Sequence, residues 1–508
     1  MKRKTACWHL CLCVMMMFSA SCETKRVMLM PLPISSHAVM HLTLAEALTA
    51  KGHEVWVVLS TDIVRKGYHD LKGVHIIEYT TSISMQDDIV LPLFLKPYFE
   101  GREPEIENHI QLMWQLNDEI MTNQSLFQTM RDVKPDLFMC DDGDHSRIYL
   151  IFAYRMGIPF AGLHFAQDPF FRRIPFSPAV DPIEFLPLGQ HMTFAERLNN
   201  FLSYVSLYMG HPLCPENAVE LYAPEMPYIP MTMLGAKAEV YLSENDHFLD
   251  YPRPSLPNTK VIGGIAASPA KPLSADLQEF MDNAKHGVVI VSFGSLVLDL
   301  PEGAFSKLLS ALESVPMKVV FRANRTSPDP GRILIMPWIP QNDLLAHPNS
   351  KVLVTHCGAS SQAQALYHAV PMLSIPLFYD QFYNAERVRQ KGFGLTLDLR
   401  TAEVSDIVRA LMTLWKSSAY RDAIARASRL FRDQMGVPAE RGAYWLDHVM
   451  KYGGGYMRSA GQEIPLYQFL LLDVVFFIVA ALILCLCLMS AALWCFWGKC
   501  FQRKSKAD

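Results

Sequence analysis

Short apolar runs alternate with helical patterns along almost the whole chain. RVMLMPLP (26–33) has the length and composition of a buried strand. AVMHLTLAEALTAKGH follows with apolar residues at helical spacing and stops at Gly52. EVWVVLS, GVHIIEYT, PDLFMCDD, GIPFAGLH and AEVYLSEN then read as further strands. The alternation restarts with GVVIVSFGS, MKVVFRA, RILIMPW, KVLVTHCG and PMLSIPLF. Strands separated by helices in this way need right-handed crossovers, and hence parallel sheets. Between the two series lies LDYPRPSLPNTKVIGGIAASPAKP (249–272), rich in Pro, Gly and Ser as linkers are. The expected fold is α/β: two doubly wound parallel-sheet domains facing a cleft, with ligands beyond the carboxyl ends of the strands.

The two ends depart from this pattern. Residues 2–4 are Lys-Arg-Lys, followed by an apolar run from Cys11 to Ala20 and small residues Ser19, Ala20 and Ser21. This is the layout of a secretory signal peptide over 1–22, with an uncleaved anchor as the alternative. At the other end, Val474 to Trp497 carries no charge over 24 residues. At ~1.5 Å per residue that is enough to cross ~30 Å of hydrocarbon. We expect a transmembrane segment at 466–498 and a tail at 499–508. Lys499, Arg503, Lys504 and Lys506 follow the apolar run, so the positive-inside rule places the tail in the cytosol and the body in the lumen. Lys504 and Lys506 also fit a dilysine retrieval signal to the endoplasmic reticulum, or an ordinary stop-transfer cluster. The segment 167–187, rich in Pro and Phe, reads as a lip over an apolar pocket or as a surface loop.

Composition narrows the class further. The net charge is −4 and the basic residues are scattered, so no nucleic-acid partner is expected. Of 11 cysteines, only Cys140, Cys214 and Cys357 fall in the body, without metal-ligand spacing. Two glycosylation sequons occur, Asn123-Gln-Ser and Asn324-Arg-Thr, and each needs an exposed loop to be used.

The stretch THCGASSQAQALYHAVPMLSIPLFYDQ (355–381) carries the densest chemistry. A strand end turns through Gly358 and Ala359 into a helix, whose N-terminus is a seat for phosphate. Ser360 and Ser361 would sit at the N-cap and first turn, either as simple caps or as phosphate ligands. His356 is placed to donate to a diphosphate, and Gln364 lies one turn further along. On the first-half side, His37 follows the first strand, and PDLFMCDD ends at Asp141. The adjacent Asp142-Gly-Asp144 leaves open an Asp-x-Asp metal site.

MPWIPQNDLLAHPNSKVLVTHCGASSQAQALYHAVPMLSIPLFYDQFYNAERVRQKGFG (336–394) resembles the signature of the UDP-glycosyltransferases, membrane-anchored lumenal enzymes of GT-B fold. LDYPRPSLPNTKVIGGI, SFGS (292–295), MTFAERLNN (192–200) and LYQFLLLDVV extend the resemblance along nearly the whole chain. It implies that 23–255 binds the acceptor, 256–285 links the domains, and 286–465 binds the UDP-sugar. Trp338 would stack on uracil, and Gln341 would contact base or ribose. His356, Ser360 and Ser361 would meet the diphosphate, Gln364 the ribose, and Asp380 and Gln381 the sugar. Ser295 would face the phosphates. His37 would be the base, supported by Asp141.

The resemblance also implies transfer from a UDP-sugar to a hydroxyl of a lipophilic acceptor with inversion. The UDP-sugar is a co-substrate, and no cofactor or metal is expected. Homo- or hetero-oligomers are left open. The pattern departs from the family at Cys357 and Ser360, at Gln364 for the usual Glu, and at Tyr383 for the usual Asp. These departures motivate the alternative of a weakened or non-catalytic relative acting as a binding or partner subunit. A glutamate at 364 would be expected to tighten UDP binding through charge-assisted bonds.

Overall fold

In a computed structural model, the described residues are 24–67, 71–164, 168–209 and 213–504. The leader at 1–22, Gln167 of the lip, and Lys506 lie outside them. Among the described residues, thirteen strands form two parallel sheets. The first has the order β3-β2-β1-β4-β5-β6-β7 and the second β10-β9-β8-β11-β12-β13. The first comprises β1 (Arg26–Met30), β2 (Glu54–Ser60), β3 (Val74–Tyr79), β4 (Leu137–Asp141), β5 (Phe160–His164), β6 (Val240–Ser243) and β7 (Thr259–Val261). The second comprises β8 (Val288–Ser292), β9 (Lys318–Arg322), β10 (Ile333–Met336), β11 (Ser350–Thr355), β12 (Met372–Ser374) and β13 (Gly394–Thr396).

Central strands covered by helices on both faces must be apolar at every position. Accordingly, β4 and β8 are buried throughout, as is β1 beyond Arg26. In each sheet the build order reverses once, between β1 and β4 and between β8 and β11. Loops diverge at such switch points and leave a crevice beyond the carboxyl ends of the strands. β1 leads to His37 and β4 ends at Asp141, while β8 leads to Ser295 and β11 to His356. Topology therefore gathers His37 with Asp141, and Ser295 with His356, at the carboxyl ends of the strands beside each switch point.

Two features cross between the halves. Within the stretch expected as linker, Thr259–Val261 pairs with β6 as the edge strand of the first sheet. Beyond it, Gly264 passes so close to the Ala359–Tyr367 helix that a Cβ there would lie 2.2 Å from Ala363 Cβ. The Pro438–Tyr452 helix returns to the first half, where Ala443, Leu446 and Val449 share a core with Val27 and Leu29. Gly442 lets it approach the Ser35–Ala50 helix, since a Cβ there would sit 3.0 Å from Leu44 Cδ1. His53 Nε2 lies 3.2 Å from Asp447 at the same contact. The Leu472–Trp497 stretch is long and apolar enough to cross a membrane, and none of it is buried.

The junction holds a buried polar network built around Tyr383. Its hydroxyl donates to Asp250 Oδ1 and accepts from Arg253 Nη2 at 2.6 Å. Arg253 also bonds Pro182 O at 2.8 Å and lies 3.6 Å from Glu184. Arg387 Nη1 is 3.5 Å from Asp250, and its Nη2 bonds Gln362 Oε1 at 2.7 Å. Burial pushes the Asp250 carboxyl up, but Arg253 and Arg387 pull it below the usual range, so it is ionised. Tyr383→Phe removes a hydroxyl that satisfies both a buried carboxylate and a buried guanidinium. A loss of about 1–3 kcal/mol is expected, read as a lower urea midpoint. An unchanged midpoint would show that the hydroxyl carries no weight.

Candidate active site

His37 sits in the first turn of the Ser35–Ala50 helix, directly after β1. Its Nδ1 is 2.9 Å from Asp141 Oδ2, and the same oxygen accepts the Leu32 N–H at 2.7 Å. Asp141 Oδ1 lies 3.7 Å from His41 Nδ1, which is 3.2 Å from the His37 carbonyl. Burial raises the Asp141 carboxyl, yet His37, His41 and the Leu32 amide outweigh it and hold it below the usual range. Burial lowers the His41 imidazole against the pull of Asp141, keeping it neutral at neutral pH. An ionised, backbone-anchored carboxylate therefore faces His37 Nδ1.

The neighbouring Asp142 does not suit a metal. Arg172 Nε donates to its Oδ2 at 2.5 Å, and Arg147 Nε lies 3.6 Å from Oδ1. Arg147 Nη1 in turn holds Asp168 at 2.8 Å, at the start of the lip. The lip is accordingly more than a surface loop: Phe170, Phe171, Arg172 and Arg173 are buried.

On the second half, the expected serine cap is replaced. Gly358 is the N-cap of the Ala359–Tyr367 helix, and no side chain caps it, which leaves the first-turn amides facing outward. Ser360 and Ser361 fall within the first turn. Ser360 Oγ reaches Met40 Sδ at 3.7 Å across the two halves, and Ser361 Oγ accepts from Gln341 Nε2 at 3.1 Å. The His356 ring packs between Gly294 and Gly358, where a Cβ would lie 2.5 Å or 2.6 Å from ring atoms. Burial, reinforced by Arg322, pushes the His356 imidazole down to about 4. It can meet an anion only as a neutral N–H donor. Ser295 lies half-buried in the turn after β8.

Trp338 is 50% exposed, with the Arg322 guanidinium 5.5 Å from its ring centroid. Gln341 Nε2 bonds Gln364 Oε1 at 2.7 Å, and Gln364 Nε2 donates to Ala266 O at 3.0 Å. Asp380 accepts from Asn384 Nδ2 at 2.6 Å, and burial raises its carboxyl. Gln381 is turned inward, its Oε1 accepting from the amides of Leu377 and Phe378 at 2.8 and 3.1 Å. It shapes the loop that carries Asp380.

Three features escape a sequence reading. Arg322 ends β9, is buried, and donates to the Gly294 carbonyl beside His356. Lys66, bonded to Ser35 Oγ at 3.0 Å and Gln86 Oε1 at 3.1 Å, comes near enough to feel its charge. Tyr379 precedes Asp380 at φ 53 and packs its ring on Phe94 at 4.5 Å and near His109 at 6.0 Å. A basic residue at a strand's carboxyl end was the available signal for Arg322; the other two depend on the approach of distant segments.

Two doubly wound parallel sheets whose switch points face each other define the GT-B class of glycosyltransferase. The calicheamicin glycosyltransferase CalG4 has this architecture, with a TM-score of 0.59 at 18% identity, over 85% of this chain and 99% of that one. The glycosyltransferase VinC, solved with dTDP, gives a TM-score of 0.57 at 16% identity, over 84% and 100%. The chain belongs to the UDP-glucoronosyl and UDP-glucosyl transferase family, which matches residues 25–507, and is a UDP-glycosyltransferase. UDP-glucuronosyltransferase 2B10 of Homo sapiens is 29% identical over 500 residues, covering 91% of this chain and 92% of that protein. The 2-hydroxyacylsphingosine 1-beta-galactosyltransferase of Rattus norvegicus is 32% identical over 469 residues, covering 89% and 85%.

Two measurements test this geometry. Gln364→Glu would set a carboxylate oxygen against the Ala266 carbonyl, so titration calorimetry should show UDP binding equal to or weaker than wild type. Tighter binding would mean that the carboxylate turns to the ribose instead. Glu244 follows β6, accepts the Ile265 N–H at 3.2 Å, and is pushed up to about 8, mainly by burial. A carboxyl raised in the folded state adds stability below its unfolded pKa, and loses it as pH rises from about 4.5 to about 8, by at most about 1.4 kcal/mol per unit. The buried His41 and His109 and the part-buried His356 and His368, all lowered, act in the opposite sense, losing stability as pH falls below about 6.5. Their effect is common to both proteins and cancels in the comparison. Glu244→Gln should therefore gain stability relative to wild type between pH 5.5 and 7.5; parallel melting curves would reject the assignment.

Proposed function

We propose that this chain transfers a sugar from a UDP-sugar to a hydroxyl of a small lipophilic acceptor, with inversion at the anomeric carbon. The observation that carries the reading is the His37 Nδ1 contact to Asp141 at 2.9 Å, at the switch point of the first sheet. A carboxylate on Nδ1 holds the proton there and leaves Nε2 as the base. Nε2 would take the acceptor hydroxyl proton as that oxygen attacks the anomeric carbon. The anomeric bond to the phosphate oxygen breaks in the same displacement, and UDP leaves from the opposite face, which inverts the centre.

Charge developing on the leaving diphosphate would be met by the amides of the Ala359–Tyr367 helix, by Ser360 and Ser361, by neutral His356, and by Arg322. Trp338 would stack on uracil and Gln341 and Gln364 would lie at the nucleoside, with Ser295 on the phosphate side. Asp380 would accept from sugar hydroxyls, while Gln381 holds its loop. The engagement of Asp142 by two arginines supports a metal-independent reaction.

This arrangement supports assigning 23–255 to the acceptor and 286–465 to the donor, with the Pro438–Tyr452 helix of the latter range packed on the first half. A lipophilic acceptor is supported by the Phe-rich lip and by the lipid substrate in the name of the rat relative. The exposed apolar helix supports single-pass anchoring, with the body in the lumen of the endoplasmic reticulum and the basic tail in the cytosol. Of the two sequons, Asn324 is exposed, whereas Asn123 caps a helix through the Leu126 amide. Asn324 is the better glycosylation site.

His37→Ala is expected to lower turnover by ~10²–10⁴-fold while leaving UDP affinity nearly unchanged, because the base acts on the acceptor. Steady-state kinetics with a panel of UDP-sugars and acceptors, together with UDP calorimetry, measures both. A variant keeping more than about a tenth of wild-type activity would remove His37 from the role of base. Wild-type protein that binds UDP-sugars but turns over none of the panel would favour the partner-subunit alternative.

A further inference from the structure

We propose that the outer face of the Phe194–Met209 helix is a second membrane contact, lying in the bilayer surface beside the apolar span. The helix rests on the lip through one face. Asn200 is fully buried: its Oδ1 accepts the Ile183 N–H at 2.8 Å, and its Nδ2 donates to Pro178 O at 2.8 Å and Asp181 O at 2.9 Å. Tyr204, 3% exposed, packs with Phe170 and Phe176 on the same side. A second side is apolar and open. Phe194 is 74% exposed, and Leu198, Phe201, Leu202 and Val205 are all 40% exposed or more.

These positions recur at i, i+4, i+7, i+8 and i+11. At about 100° per residue they form one stripe, centred roughly 145° round the helix from the buried Asn200 and roughly 105° from Tyr204. Phe185 on the lip, 57% exposed, enlarges the apolar surface. A contiguous exposed patch of this kind marks a contact surface.

Position identifies the occupant. Leu466 and Leu470, immediately before the span at Leu472, pack on the same cluster of Phe170, Ile183 and Tyr204 that the helix covers. Arg173 Nε also reaches the Ile464 carbonyl at 3.4 Å. The stripe is therefore held at the end of the body where the span leaves it. An apolar helical face at that level meets the headgroup and upper acyl region, as interfacial amphipathic helices do. Glu196 and Arg197 balance each other, so contact here depends on burying aromatic and aliphatic groups more than on attraction to anionic lipid. The inference rests on Leu472–Trp497 being the span, and it would set the lip at the membrane surface.

The test uses the full chain in phosphatidylcholine vesicles doped with a lipid bearing a photoactivated diazirine in its acyl chain. Adducts are mapped by mass spectrometry after irradiation. Adducts are expected both in 472–497, which reports the span, and in 194–205. Leu198→Glu combined with Phe201→Glu should lower the 194–205 adducts by about tenfold or more and leave those at 472–497 unchanged. UDP binding retained by the double variant shows that it is folded; if it is lost, Phe201→Gln alone serves the same comparison. Labelling of 472–497 without 194–205 overturns the proposal. Absence of label at 472–497 overturns the span itself, a separate failure.

Discussion

A parallel sheet covered by helices on both faces has no room for polar side chains along its strands. Polar groups can collect only where the strands end, and the reversal of strand order decides which ends lie open. In this protein two such sheets face each other. His37 and Asp141 stand at one switch point, and Gly294, Ser295 and His356 at the other. The cleft chemistry follows from that constraint, because β1, β4, β8 and β11 hold these residues on rigid, buried backbone.

Electrostatics at the two strand edges differ in kind. On the first half a single carboxylate, Asp141, is kept ionised by a backbone amide and two imidazoles despite its burial. On the second half the burial of His356 leaves it neutral, and positive charge comes from Arg322 and the outward amides of a glycine-capped helix, with Lys66 of the first half near enough to feel Arg322. An anion entering there would meet donors already in place, which would need little reorganisation as charge developed.

The departures from the family pattern each have a local physical setting. Cys357 keeps a left-handed backbone at φ 69 although it carries a Cβ, and its neighbours hold it: its N–H bonds Thr355 Oγ1 at 3.2 Å and its carbonyl accepts from Asn384 at 3.0 Å. Tyr383 turns from the cleft into the junction, joining Asp250 and Arg253. Gln364 spends its amide on Gln341 and Ala266, tying the linker to the Ala359–Tyr367 helix. Tyr383 thus ties the second half to Asp250 and Arg253, and Gln364 ties it to the linker, whereas the Cys357 bonds stay within the second half.

The strands of both sheet centres were legible because each is a continuous apolar run bounded by turns. The strand-to-helix turn at 355–367 and the 26-residue apolar span were legible for similar reasons. β7 (TKV) and β13 (GLT), at sheet edges, were not, since neither lies in an apolar run such as the one that marks the equally short β12. Nor could local pattern reveal that the Pro438–Tyr452 helix closes on the first half. The sequence by itself determined the α/β class and which residue types stand at the strand ends. Only the tertiary structure decided that Gly358 rather than a serine caps the helix, that Gln381 faces inward, and that Arg322 and Tyr379 reach the cleft. Those outcomes depend on which backbone approaches which, over separations of tens to hundreds of residues, and no local period encodes that.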